Sequence, residues 1–143
     1  MTIAAILERK GGNVVTVRTD SPVREAVRLL AERGIGAVVV VGEGEAVAGI
    51  LSERDVVRCL GQKGADVLDL PVSSVMTAPA ITIEPRVSVL AALSDMSKRR
   101  IRHLPVVEGG RLAGIVSIGD LVAYRIRRIE EEAEAMRIYI QSA

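Results

Sequence analysis

The sequence predicts an α+β fold made of two βαββα repeats related by a pseudo-twofold axis, with an amphipathic helix added at the C-terminal end. Three observations predict it. The chain matches itself at an offset of 66 residues, with residues 16–23 lying over 82–89. Inside each copy the apolar spacing alternates between helical steps and short β-branched runs separated by glycine-containing turns. The last stretch carries apolar residues at alternating steps of four and three.

In the first copy, Ser21-Pro22 supplies a helix start, with Ser21 as N-cap and Pro22 in the first turn. Val23, Ala26, Val27 and Leu30 then follow at helical spacing, and Gly34 closes the helix. Residues 37–41 form a β-branched run, residues 42–45 supply turn chemistry, and 47–51 is a second apolar strand, so a buried hairpin is expected. Ser52 to Asp55 opens another helix as a capping box, with an apolar face of Val56, Val57 and Leu60. The same offset pairs Ala26 with Ala92, Arg33 with Arg99, Ile35 with Ile101, and Val40-Val41 with Val106-Val107. A one-residue deletion in the turn then reduces the offset to 65, which pairs Gly49 with Gly114, Ser52 with Ser117 and Asp55 with Asp120. The second copy reads Ser88, Val89, Ala92, Leu93 and Met96 as helix, 104–107 and 112–116 as strands, and Ser117 to Asp120 as the next helix start. Residues 1–66 form the first repeat, 67–125 the second and 126–143 the C-terminal helix, all within one folding unit. A small sheet covered on one side needs a partner for its other face, and an internal copy provides one.

Composition narrows the function classes. With 143 residues and 49% apolar content the chain builds a sizeable core. Nineteen basic and 18 acidic residues leave a charge of +1, so no net field draws in nucleic acid or an anionic membrane. Phe and Trp are absent and Tyr124 and Tyr139 are the only aromatics, which removes the stacking surfaces that single-stranded nucleic-acid binders use. The lone Cys59 forms no internal disulfide, and a reducing cytoplasm is the expected compartment. Residues 1–7 are too short for a signal core, and no apolar run approaches transmembrane length, so neither secretion nor a membrane partner is expected. His103 and Cys59 do not match any compact metal-ligand spacing, no Walker-type phosphate loop is present, and no nucleophile elbow surrounds Ser52 or Ser117. Catalysis and metal chemistry are not expected.

The chemistry-bearing pattern is Gly49-Ile50-Leu51-Ser52-Glu53-Arg54-Asp55, repeated as Gly114-Ile115-Val116-Ser117-Ile118-Gly119-Asp120. A serine at a helix N-terminus places a hydroxyl beside free backbone N–H groups and the positive end of the helix dipole, where phosphate or ribose oxygens are favoured. An aspartate one turn in can accept two hydrogen bonds from vicinal ribose hydroxyls. The same pair is also a plain capping box that needs no ligand. Arg102 and His103 stand at the start of a strand where the first copy has Gly36 and Ala37, so the two clefts differ chemically. His103 could equally be a half-buried histidine, and Arg99, Arg100 and Arg102 a solvated basic edge.

The duplicated pattern, with Val75-Met76-Thr77, Lys10-Gly11 and 101–106, resembles tandem cystathionine beta-synthase (CBS) domains of the small free-standing type, over essentially the whole chain. The resemblance implies a non-catalytic sensor that needs no cofactor and binds an adenine nucleotide between the repeats. AMP is the first candidate, with ATP, ADP, NAD and S-adenosylmethionine as alternatives. It implies that Asp55 and Asp120 hold ribose, that Ser52, Ser117, Arg54, Arg102 and His103 face ribose or phosphate, and that groups near Thr16, Ile35, Ile81 and Ile101 receive the base. Lys10 and Thr77 are contacts by the same resemblance.

In the C-terminal segment, Val122, Ile126, Ile129, Ala133, Met136 and Ile140 form a coiled-coil-like seam, with a weak cross-pair expected between Arg127 and Glu131. The seam either docks on the module's own helices or joins a homodimer. The dimer is the favoured expectation, since CBS pairs associate into four-repeat discs. An unidentified protein would receive the signal, and the alternative is a structural interaction module with degenerate pockets.

Overall fold

The computed structural model describes residues 1–142. The first repeat comprises β1 (Thr16–Arg18), α2 (Val23–Arg33), β2 (Ala37–Val41), β3 (Val47–Ser52) and α3 (Glu53–Lys63), preceded by α1 (Ile3–Lys10). The second comprises α4 (Val89–Arg99), β4 (His103–Glu108), β5 (Arg111–Ser117) and α5 (Ile118–Ser142). The two-copy α+β architecture with a long terminal helix is the one the sequence predicts.

The central strand β2 pairs with β1 in parallel and with β3 antiparallel. All five of its residues are buried, which is why it reads as an unbroken valine run rather than an alternating one. The registers reproduce the sequence offset. Val17 faces Val40 and Ile83 faces Val106, while Val40 faces Gly49 and Val106 faces Gly114. Both hairpins shift register at the same place, between Val40 and Val41 and between Val106 and Val107.

One strand is lost in the second copy. In the first, the Val39 N–H donates to the Val15 carbonyl at 3.2 Å. The equivalent of Val39 is Pro105, which has no N–H, so the leading parallel strand shrinks to a single bridge at Ile83.

Local expectations are corrected at three points. Pro22, not Ser21, is the N-cap of α2, and the Ser21 hydroxyl instead accepts the Arg18 N–H at 3.2 Å. The N-cap serine works in the other copy, where the Ser88 Oγ accepts the Ala91 N–H at 3.1 Å. On α3 the core stripe is Val56 and Cys59, and Val57 faces solvent with 69% of its surface exposed, because it lies about 100° round the helix from Val56. Arg127 lies 5.8 Å from the Tyr124 ring centre instead of pairing with Glu131, whose carboxylate is 3.8 Å from Arg128.

The two cores are closed crosswise. Ile3 and Ile6 of α1 pack into the second repeat's core with Val89, Ala92, Met96, Leu104 and Leu121. Val67, Val72 and Val75, from the segment joining the repeats, pack into the first core with Val23, Val38 and Leu51. Backbone bonds pin both insertions: the Val23 N–H donates to the Leu70 carbonyl and the Val72 N–H to Ser21, while the Ile3 N–H donates to Val87 and the Val89 N–H to Met1. No helix among the described residues is long and apolar enough to cross a membrane.

Glycines of the repeated motif make these crossings possible. A Cβ on Gly49 would stand 2.7 Å from the Thr77 carbonyl oxygen, and one on Gly114 would stand 2.6 Å from Leu7 Cδ2. The Thr77 carbonyl is tied to the Ile50 N–H at 3.0 Å, whereas the tip of Leu7 can rotate. Gly49→Ala is therefore expected to lower the unfolding free energy by about 1–3 kcal/mol, and Gly114→Ala by less. Urea denaturation of the two variants checks the ranking; equal losses would mean that the Ile50–Thr77 pairing yields as readily as a leucine side chain.

Candidate functional site

Each β3–α3-type junction is a complete capping box. The Asp55 N–H donates to Ser52 Oγ at 3.2 Å, while Asp55 Oδ2 accepts the Ser52 N–H at 2.9 Å and its hydroxyl at 3.0 Å. In the second copy the Asp120 N–H donates to Ser117 Oγ at 3.1 Å, and Asp120 Oδ2 accepts the Ser117 N–H at 2.8 Å. The junctions are braced alike, with the Glu53 N–H on the Gly36 carbonyl and the Ile118 N–H on Arg102.

The two aspartates nevertheless sit in different surroundings. Asp55 is only 4% exposed, and its Oδ1 accepts Arg58 at 2.7 Å and the Thr77 hydroxyl at 3.1 Å. Asp120 is more open, and Lys10 of α1 donates to its Oδ2 at 2.6 Å and to the Ile115 carbonyl at 2.9 Å. Burial would raise the Asp120 carboxyl, but the hydrogen bonds from Lys10 and Ser117 and the Lys10 charge outweigh it and leave it below its ordinary value. Lys10 thus does in the second cleft what Thr77 does in the first.

A cavity of about 270 Å³ lies against the first motif and draws walls from both repeats. Ser52, Arg54, Asp55, Thr77, Ile101, Arg102 and His103, all expected from the sequence, line it together. Lys10 and Asp120 lie apart, on a shallower depression with Tyr124 and Arg127. Ser117 caps α5 beside them. Ile35 and Ile81 are half-buried against the first and second cores, and Thr16 is exposed on β1; none of the three is in the cavity wall.

The wall also contains Gly36, Ile50, Glu53, Arg58 and Arg100, which sequence reasoning did not place there. Ile50 was legible as the apolar slot of the motif, and Arg58 as the residue one turn beyond Arg54 and Asp55. Gly36 has a steric reason. A Cβ there would stand 3.0 Å from both His103 Nε2 and Glu53 Oε1, so glycine lets the second repeat's histidine approach the N-terminus of α3. Of the arginines read as a basic edge, Arg99 pairs with Asp95 at 2.9 Å, while Arg100 and Arg102 turn to the cavity.

The family model for the CBS domain matches residues 5–62 and 72–127. A paired-repeat fold with a cleft beside each repeated motif is the class this geometry defines, and the chain belongs to the CBS-domain family with two CBS repeats. A mitochondrial CBS domain-containing protein of Arabidopsis thaliana is 36% identical across 98% of this chain, which spans 72% of that protein's length. A 33.4 kDa protein from a Thermofilum pendens ribosomal RNA operon is 43% identical over 76% of the chain, which covers 35% of that larger protein. Among solved structures, a CBS-domain protein of Agrobacterium tumefaciens superposes with a TM-score of 0.83 at 41% identity, covering 87% of this chain and 92% of that one. A CBS domain protein of Pyrobaculum aerophilum, solved in complex with AMP, superposes with a TM-score of 0.75 at 28% identity, covering 84% and 89%.

His103 titrates below its ordinary value of 6.5, first because it is buried and next because Lys10 is close; Glu53 and Asp120 oppose this and Arg102 adds to it. Between the depressed folded value and 6.5 the unfolded chain binds the extra proton, so stability rises with pH through that window and is lost as pH falls through it, the loss being complete below the folded value. Unfolding free energies measured by urea at intervals from pH 7.5 down to 5 are expected to decline below about 6.5. His103→Gln is expected to flatten that decline, and an unchanged slope in the variant would assign it to other groups.

Proposed function

We propose that this chain is a regulatory module, not an enzyme, that binds an adenosine nucleotide in the cleft between its CBS repeats and relays occupancy through their relative packing. AMP is the simplest ligand that satisfies the site, and the Pyrobaculum relative solved with AMP supports it. The observation that carries the reading is the composition of one cavity wall. Ile50 and Ile101 offer an apolar surface to a base, Asp55 a buried carboxylate to ribose hydroxyls, and Arg54, Arg58, Arg100 and Arg102 their guanidiniums to phosphate. Ribose would take over the places that Arg58 and Thr77 hold on Asp55 Oδ1.

The second cleft works as a weaker site on this reading because it is the more open of the two; its aspartate, like Asp55, must first be released by a neighbour, here Lys10. That half-exposed ion pair contributes about 1 kcal/mol or less, so displacement is feasible but unfavourable. Cytoplasmic residence belongs to the same proposal and is supported by the single, buried thiol of Cys59, although the Arabidopsis relative resides in mitochondria.

Calorimetric titration of ligand-stripped protein with AMP is expected to show one tight site per chain. Asp55→Asn should abolish it and Asp120→Asn should leave it nearly intact. Ligand at 100 times its dissociation constant should add about 2.7 kcal/mol of stability, visible as a raised melting temperature. Absence of heat and of thermal shift with AMP, ADP, ATP, NAD and S-adenosylmethionine alike would sink the reading.

The C-terminal helix favours a second role alongside this one. Val122, Ile126, Ile129, Met136 and Ile140 are between 43% and 65% exposed, so the seam does not fold back onto the module's own helices. We infer that a second copy covers it, forming a homodimer whose geometry responds to ligand, with an unidentified protein as the receiver. A module with silent pockets would keep this surface and lose the nucleotide response. Sedimentation of the wild type is expected to give a dimer and Ile126→Glu a folded monomer; a monomeric wild type at high micromolar concentration would refute the interface.

A further inference from the structure

The cationic side of the cavity exceeds what one phosphate requires. Four arginines line it, and Arg58 is neutralised by Asp55 at 2.7 Å. Arg54, Arg100 and Arg102 have no ion-pair partner among the described residues, and the one other unpaired charge in the wall is the Glu53 carboxylate, so the cations outnumber it three to one. They come from opposite repeats, Arg54 from the first turn of α3 and the other two from the passage between α4 and β4. Converging unpaired cations repel one another in the empty protein and attract a multiply charged anion.

Arg100 adds an independent observation. It caps α4 in the left-handed conformation, with φ 56° and ψ 39°, and its N–H is accepted by the Met96 and Ser97 carbonyls. The equivalent residue of the first repeat is Gly34, with φ 61° and ψ 40°. The backbone requirement is therefore the same in both copies, and glycine is the residue that meets it without a Cβ clash. The second copy holds an arginine there at a conformational cost, and Arg100 lines the cavity while Gly34 does not. Strain of this kind persists where the side chain is needed.

We propose that Arg100, acting with Arg102 and Arg54, makes this cleft selective for adenosine nucleotides with a di- or triphosphate chain over AMP. This rests on the adenosine-nucleotide reading of the same cavity. A single phosphate engages one or two guanidiniums in bidentate fashion, whereas a longer chain reaches cations on both repeats. A ligand bearing a cationic sulfonium in place of phosphate meets three unpaired arginines against one carboxylate, Glu53, and is disfavoured.

The test is calorimetric titration of AMP, ADP and ATP, each in EDTA, into the full chain and into Arg100→Gly and Arg102→Gln. The wild type is expected to bind ATP about tenfold or more tightly than AMP, since each added charged hydrogen bond carries roughly that ratio. Arg100→Gly should unfold at the same or a higher urea concentration than the wild type, and should lose more affinity for ATP than for AMP, so that the ATP preference falls. Arg102→Gln should reduce the preference without the gain in stability. Equal wild-type affinities for AMP and ATP would overturn the selectivity, and an unchanged ATP-to-AMP ratio in both variants would overturn the assigned residues. Silence toward all three nucleotides would overturn the selectivity, and silence toward NAD and S-adenosylmethionine as well would refute the adenosine-nucleotide reading on which it rests.

Discussion

The structure depends on one constraint: neither repeat can close its own core. Val67, Val72 and Val75 complete the first, and Ile3 and Ile6 complete the second, each reaching across from the segment that leads into the opposite copy. Backbone bonds such as Val72 to Ser21 and Ile3 to Val87 hold these insertions at equivalent places. Apolar burial and backbone pairing therefore act between the repeats as well as within them. The clefts inherit their shape from this arrangement. Thr77 and Lys10, which reach the two motif aspartates, both lie just after the inserted segments.

Duplication supplies the frame and its departures from symmetry supply the chemistry. Where the first repeat has Gly34, Gly36 and Ala37, the second has Arg100, Arg102 and His103. Small residues on one side leave room, and long cationic ones on the other fill it, which produces a single amphipathic cavity between unlike walls. On the opposite side the Lys10 ammonium occupies the aspartate, so two motifs of nearly identical backbone geometry present unequal carboxylates. His103 lies where both clefts are felt, with Lys10, Glu53, Asp120 and Arg102 all acting on its proton.

Helix α5 joins the second motif to the outer surface. Asp120 lies in its first turn, Leu121 is fully buried in the second core, and the exposed apolar stripe follows on the same unbroken 25-residue helix. A helix of this length transmits a change in tilt at its anchored end to its free end, because its backbone bonds are satisfied internally. The second motif and that stripe thus lie on one continuous helix.

The sequence by itself determined what is local or periodic. The 66-residue offset reappears as the pairing of Val17 with Val40 and Ile83 with Val106, and the one-residue deletion as a shorter turn in the second hairpin, which leaves Gly114 opposite Val106 as Gly49 is opposite Val40. Both capping boxes were legible because a serine and an aspartate three residues apart meet in any helix start. Only the tertiary structure decided the crosswise closure of the cores, the role of α1, the Lys10–Asp120 pair across 110 residues and the turning of Arg100 and Arg102 into one cavity. Those contacts join residues with no fixed spacing along the chain, so no periodicity encodes them. They follow from which apolar faces remain uncovered once the local elements have formed, and that is settled by packing in three dimensions.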